Sequence, residues 1–295
     1  MGCASCKGRA WRLAQWIADF SFSQGAFSMQ IKTRIAASLI ALCGAIGTAQ
    51  AHNVWLLPSS TVLSKAEWIT VDAAVSNDLF FFNHFPLALD NLVVTAPDGS
   101  EAKPENMHRG KLRSVFDLNL TQSGTYRLAV VSSGLNASYK DAGGQPKRWR
   151  GTPEKFAAEV PADAKDLKVT QSAGRIETFV TVGKPSAVKP TGKGLELVPV
   201  THPNDLVKGE KATFAFHVDG KPAAGLEVVL VAGGSRYRDA LNEIKATTDA
   251  KGEFSVTWPA AGMYWVDADA NDGKTTLPQA KERRLSYVGT VEVLP

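Results

Sequence analysis

From residue 53 onward the chain alternates apolar and polar positions in short runs separated by Gly, Pro, Asn and Asp, the period of half-buried β-strands. Residues 54–57 form the first run, which ends at Pro58, and residues 68–75 form the second. Residues 92–95 run into Pro97-Asp98-Gly99, a turn, because glycine tolerates the positive φ that a tight turn needs. Leu112, Phe116, Leu118 and Leu120 share one face of the next run, with Arg113, Asp117 and Asn119 on the other. Tyr126, Leu128 and Val130 line the strand after Gly124.

Between 133 and 161 the alternation stops, and a composition rich in Gly, Lys and Pro predicts an excursion loop. Within it, Thr152-Pro153-Glu154 predicts one short helix, with Thr as cap and Pro in the first turn. Strand patterning resumes at 167–169 and 176–182, two runs expected to pair around Ser172-Ala173-Gly174. Residues 184–193 have linker composition, since Pro stiffens them and nothing in them can build a core.

Beyond the linker, Ala212, Phe214, Phe216 and Val218 form an inward face, and Asp219-Gly220-Lys221-Pro222 turns the chain into 226–231. Asp249-Ala250-Lys251-Gly252 turns into Phe254, Val256 and Trp258, and Leu285, Tyr287, Val291 and Val293 pattern the last strand. The expectation is an all-β chain of two β-sandwich domains, 52–183 and 194–295, joined by 184–193.

The first 51 residues read differently. Residues 35–46 are a short apolar run, introduced by Lys32 and Arg34 and followed by Ala49-Gln50-Ala51, the layout of a secretory signal peptide at 29–51. Met29 stands where such a leader begins, so residues 1–28 are expected to reflect an upstream mis-assigned start. Cleavage after Ala51 makes His52 the first residue of a periplasmic protein. The apolar run is too short to span a membrane.

This division changes the meaning of composition. Cys3, Cys6 and Cys43 all precede His52, so the exported chain has no disulfide and no thiolate site. Leu42 stands where a lipid-anchor signal needs a small residue, which argues against an anchor at Cys43. Residues 1–51 also hold five of the 33 basic residues and one of the 29 acidic ones, leaving 28 of each. A net charge of zero favours no nucleic-acid partner. Phosphate loops, paired carboxylates at glycosidase spacing and nucleophile elbows are absent from the sequence, so hydrolase chemistry has no support.

Gly220-Lys221-Pro222-Ala223-Ala224-Gly225, Thr248-Asp249-Ala250-Lys251-Gly252-Glu253-Phe254 and Gly262-Met263-Tyr264-Trp265 resemble the pattern of transthyretin-like and immunoglobulin-like extracellular modules. With Ala51-His52-Asn53-Val54-Trp55-Leu56 and Leu195-Glu196-Leu197-Val198-Pro199, residues 52–295 resemble the periplasmic family labelled NikM-like, or nickel/cobalt uptake substrate-specific. The resemblance implies metal handling. Without the membrane helices of an uptake permease, the chain would serve as an accessory to a membrane or outer-membrane transporter.

The candidate chemistry follows from His52. A terminal histidine offers its α-amine and its imidazole to one ion, closing a chelate ring from a single residue. The other histidines of the exported chain are His84, His108, His202 and His217. Nitrogen and oxygen donors suit Ni(II), Co(II), Cu(II) or Zn(II) and disfavour Cu(I). His84 sits in an aromatic stretch, 79–85, just after Asp78, and the two are candidate further ligands. His108 is expected in an exposed turn, as a weaker candidate. His202 reads as structural, at the start of the second domain, and His217 faces away from the core side of its strand.

Arg236, Tyr237, Arg238, Arg283 and Arg284 are a candidate anion site, since guanidinium forks fit carboxylates. The expected function is a periplasmic metal-binding accessory carrying nickel, cobalt or copper. Alternatives are a non-metal binding module of the cell envelope and a copper-dependent oxidative enzyme that uses an N-terminal histidine.

Overall fold

The structure is a computed structural model that describes residues 53–295. The segment 1–28, the leader at 29–51 and His52 lie outside the described residues. The chain is all-β, with eighteen strands in three sheets among the described residues. Those residues belong to one compact unit.

The first sheet runs β1 (Asn53–Pro58), β3 (Glu67–Ser76), β7 (Ser114–Leu120), β6 (Glu105–Arg109), with β4 (Phe85–Pro86) added to β3. A small sheet runs β11 (Leu195–Pro199), β12 (Lys211–Val218), β13 (Lys221–Pro222), with β16 (Glu253–Thr257) pairing β12 on the same side as β13. Between them lies a long sheet in the order β15 (Ile244–Thr247), β14 (Glu227–Ala232), β17 (Gly262–Asp272), β18 (Glu282–Val293), β10 (Lys165–Val182), β8 (Gly124–Lys140), β5 (Leu92–Thr95). Two further strands join it, β2 (Val62–Leu63) on β10 and β9 (Pro146–Gly151) on β8.

The long sheet serves both sandwiches, and β10 shows how. Successive side chains of a strand point to opposite faces. Val180 and Val182 therefore enter a core with Leu56, Val71, Phe116, Leu118, Tyr126 and Leu128, beneath the first sheet. Phe179 points the other way, into a core with Phe214, Phe216, Phe254, Tyr264 and Tyr287, beneath the small sheet. The two smaller sheets cover opposite faces of one central layer.

The residues of the two cores separate near the 184–193 segment, yet hydrogen bonding runs across it. Nine residues of β10 pair in parallel with β18, from Thr170 against Glu282 to Thr178 against Thr290. A third cluster joins the halves. Trp55, on the face of β1 opposite Leu56, packs with Leu79, Phe80, Phe82, Val231 and Trp265, and the Trp265 indole donates to the Val54 carbonyl at 3.0 Å.

Two expectations are corrected. The runs at 167–169 and 176–182 are not a hairpin: Ser172-Ala173-Gly174 lies mid-strand in β10, flanked by β8 and β18. The 133–161 excursion loop is largely strand, since β8 continues to Lys140 and β9 returns along it before α1 (Pro153–Glu159). Both misreadings have one cause. Along β9 and the outer part of β10 most side chains are only partly covered, so little apolar alternation marks them, and in β8 only Leu135 and Ala137 are buried beyond Val130.

The 249–252 turn forms as its sequence requires. Asp249 accepts from the backbone N–H groups of Lys251 and Glu253, and Gly252 has φ +75° with the Phe216 carbonyl so close that a Cβ would stand 2.5 Å from it.

Candidate functional site

Two places in the fold gather polar chemistry. The first is the end of the first sheet where β1 starts. Asn53 pairs with Ser76 on one side of β3, and Phe85 pairs with Val75 on the other. Asn53 and the 77–85 stretch that carries Asp78 and His84 thus meet at the same end of β3.

The 77–83 connection at this end is held by its own hydrogen bonds. The Asn83 side chain donates to Asp78 at 2.7 Å and accepts from the Asn77 N–H at 3.0 Å, while the Ser76 hydroxyl donates to the Asp78 carbonyl at 2.6 Å. The His84 ring lies 4.5 Å from that of Phe85, half-buried. Among the described residues no three His, Cys, Asp or Glu side chains gather closely enough to hold a metal. Asp78 and His84 are nitrogen and oxygen donors that fit such an ion only as additions to further ligands.

His108 is not brought to this end. It lies on β6, an exposed strand rather than a turn, opposite Val115 of β7, which itself faces Asp72 of β3 and, beyond it, Leu57 of β1. Three strand spacings, about 14 Å, separate it from β1. His202 is structural. The Asn204 N–H donates to its Nδ1, so Nε2 carries the proton toward the Ser186 carbonyl and the Thr125 hydroxyl. Burial holds its pKa below the usual histidine value. His217 is half-buried in β12, opposite Glu196.

The expected anion site is likewise taken apart. Arg283 and Arg284 are neighbours in β18 and so point to opposite faces. Arg236 and Tyr237 belong to a 3-10 turn (Ser235–Tyr237) beyond the end of β14 that pairs with Tyr264, level with Val291. Val291 and Arg283 stand eight positions apart in β18, roughly 25 Å. At the turn, Arg236 stacks on Phe81 at 3.6 Å, Tyr237 is 81% exposed, and Arg238 is spent on the carbonyls of Gly233 and Ala232, both at 2.7 Å.

The second place is one that the sequence did not reveal. Where β5, β8 and β10 extend past the edge of the small sheet, their uncovered face floors a groove of about 640 Å³. Arg127, Ala129 and Val131 of β8 and Ala173 and Arg175 of β10 lie along it, and the 191–194 stretch forms a wall. That wall is fixed: the Glu196 carboxylate accepts from the N–H groups of Thr191 and Gly192, both at 2.7 Å.

Arg127 and Arg175 are each only 7% exposed, and Glu177, at 1%, sits between them. Its Oε2 is 3.7 Å from Arg127 Nε and 3.5 Å from Arg175 Nη1. Burial pushes the Glu177 carboxyl up, against the pull of the two guanidinium groups. Arg175 Nη2 donates to the Thr191 hydroxyl at 3.0 Å. Arg127 Nε and Nη2, Arg175 Nε and Glu177 Oε1 have no hydrogen-bond partner. In an alternating strand each of these residues reads as a solvent-facing position. Only the pairing of β8 with β10, Arg127 opposite Phe179 and Ala129 opposite Glu177, makes them one cluster.

No helix of the described residues is long and apolar enough to cross a membrane. A search of curated proteins found no match. Among solved structures, the chain is similar to the D0–D1 domain of intimin (13% identity, 81% of this chain and 97% of that one, TM-score 0.22). It is also similar to the Escherichia coli adhesin FdeC (16%, 83% and 66%, 0.21) and to an I-band fragment of titin (12%, 83% and 66%, 0.19). Similarity at this level assigns no activity. Residues 49–272 match the family described as "Domain of unknown function (DUF4198)", and the chain belongs to that family.

Proposed function

We propose that the protein is a periplasmic accessory that binds nickel, cobalt or copper through the amine and imidazole of a mature N-terminal His52, with His84 and Asp78 as further donors, in metal uptake or homeostasis. One observation supports this reading above the others: Asn53 and Phe85 pair with consecutive residues of β3, Ser76 and Val75. Asn53 and the Asp78–His84 stretch thereby share one end of the first sheet. His108 has no part in the ligand set.

The test is to purify the exported protein, determine its first residue, and titrate it with Ni(II) and Cu(II) beside a version carrying one extra residue before His52. The expected results are a start at His52, binding lost on extension, and binding weakened at least tenfold in His84→Ala. Because the amine and imidazole titrate near about 8 and 6.5, affinity falls as pH drops through that range. A start elsewhere, or equal binding by both versions, removes His52 from the site. A second reading, a binding module that needs no metal, is supported by the groove beside Arg127 and Arg175.

A further inference from the structure

We propose that the groove between β5, β8, β10 and the 191–194 wall is a binding site for a small organic carboxylate with an apolar body. It is independent of the metal reading, since none of the residues involved belongs to that ligand set.

The charged side chains lining the groove are Arg127, Arg175, Lys193 and Arg283, with no carboxylate among the lining residues. Arg283 is already neutralised, donating to Asp219 at 2.7 Å and Asp272 at 2.6 Å. Arg127 and Arg175 are not. They share the single acid Glu177, and the contacts to it are long, at 3.7 and 3.5 Å. A buried guanidinium with unmade hydrogen bonds is costly, and proteins rarely leave one so without a role for it.

The unpaired atoms of Arg127 say what the ligand is. Nε and Nη2 lie on one edge of the guanidinium and form the side-on fork that holds the two oxygens of a carboxylate. Arg127 lines the groove with Nε and Nη2 buried on the Glu177 side, and a ligand carboxylate takes this fork when the guanidinium turns from Glu177 toward the groove. The remaining surface selects the rest of the molecule. Val93, Ala129, Val131, Ala173 and Leu285 offer apolar walls, and the groove has the volume of a small-ligand site. Inorganic phosphate matches the cations but leaves these walls wet.

Octanoate is the probe, titrated calorimetrically into the purified protein in the presence of a chelator, so that the outcome does not depend on metal binding. Octan-1-ol and inorganic phosphate are the controls. The proposal expects saturable octanoate binding that exceeds both controls at least tenfold and falls at least tenfold in Arg127→Met. Val93→Trp, at a groove-lining position that is 45% exposed and pairs with the uncharged Ala129, narrows the groove and is expected to cause a similar loss. It decides the matter if Arg127→Met fails to fold. Absence of octanoate binding, equal binding of octan-1-ol or phosphate, or unchanged binding in folded variants overturns the proposal.

Discussion

Arg127 and Glu177 meet across β8 and β10 with Nε 3.7 Å from Oε2, both almost wholly buried, and the buried Tyr287 hydroxyl stands beside the same carboxylate. Their attraction operates where water cannot screen it, but it is also what offsets the removal of two cations from water. Glu177 therefore holds the centre of the shared sheet against repulsion between Arg127 and Arg175.

Replacing Glu177 by Leu leaves two guanidinium groups facing each other without a counter-charge. The expected loss is about 3–5 kcal/mol, the range for breaking a buried pair from one side. Urea unfolding followed by tryptophan fluorescence measures it. A loss below about 1 kcal/mol would show that the arginines are solvated and the cluster is not closed.

Asp267 on β17 gives the protein an acid-side stability slope. Burial, and secondarily Asp269 nearby, raise its carboxyl to about 7. The unfolded chain releases that proton near about 4, so between the two values the native state binds more protons and its stability falls as pH rises. Above about pH 7 the penalty is complete. Asp267→Asn should flatten this part of the pH–stability curve and raise stability at pH 8 by about 1–2 kcal/mol. Melting temperatures of both proteins from pH 4 to 8 provide the comparison.

Trp55 ties the two halves together. Its indole donates to Ser76 at 2.9 Å and its ring lies 5.7 Å from Phe80 and 5.2 Å from Phe82. Trp55→Ala should cost about 3–5 kcal/mol through the cavity it leaves. Trp55→Phe keeps most of the packing and should lose about 1–2 kcal/mol, chiefly the hydrogen bond. Equal losses in the two variants would argue that packing at this joint is not what the tryptophan supplies.

His202 should remain neutral below the usual histidine range. Burial lowers its pKa, and Nδ1 is already accepting from the Asn204 N–H. The unfolded chain takes up a proton near about 6.5, before the native state does, so stability is lost as pH falls below that value. An NMR titration of the ring should place its midpoint under those of the exposed histidines. A midpoint at or above them contradicts the tautomer.

Much of the strand content was legible because β3, β7, β12 and β18 each bury one face, and a half-buried strand writes its period into the sequence. Leu118 and Leu120 announce their core side as clearly as Phe214 and Phe216 do. The long strand β10 did not declare itself, since Ser172-Ala173-Gly174 carries no apolar side chain and looks like a turn. Read as two strands, it hides the fact that both sandwiches share one sheet. The groove was hidden for the same reason: Arg127, Arg175 and Glu177 come from strands about 50 residues apart and look like ordinary outward charges.

By itself the sequence determined the all-β class, the positions of most turns and two sets of core residues, because these depend on local alternation and on which residues tolerate a reversal. It also supplied the candidates for the proposed metal chemistry, His52, His84 and Asp78. Tertiary structure decided which segments meet. It set His108 across the sheet from β1, sent Arg283 and Arg284 to opposite faces, and brought Arg127 to Glu177. Strand pairing across long stretches of chain depends on the packing energy of whole faces, which no short window of residues records.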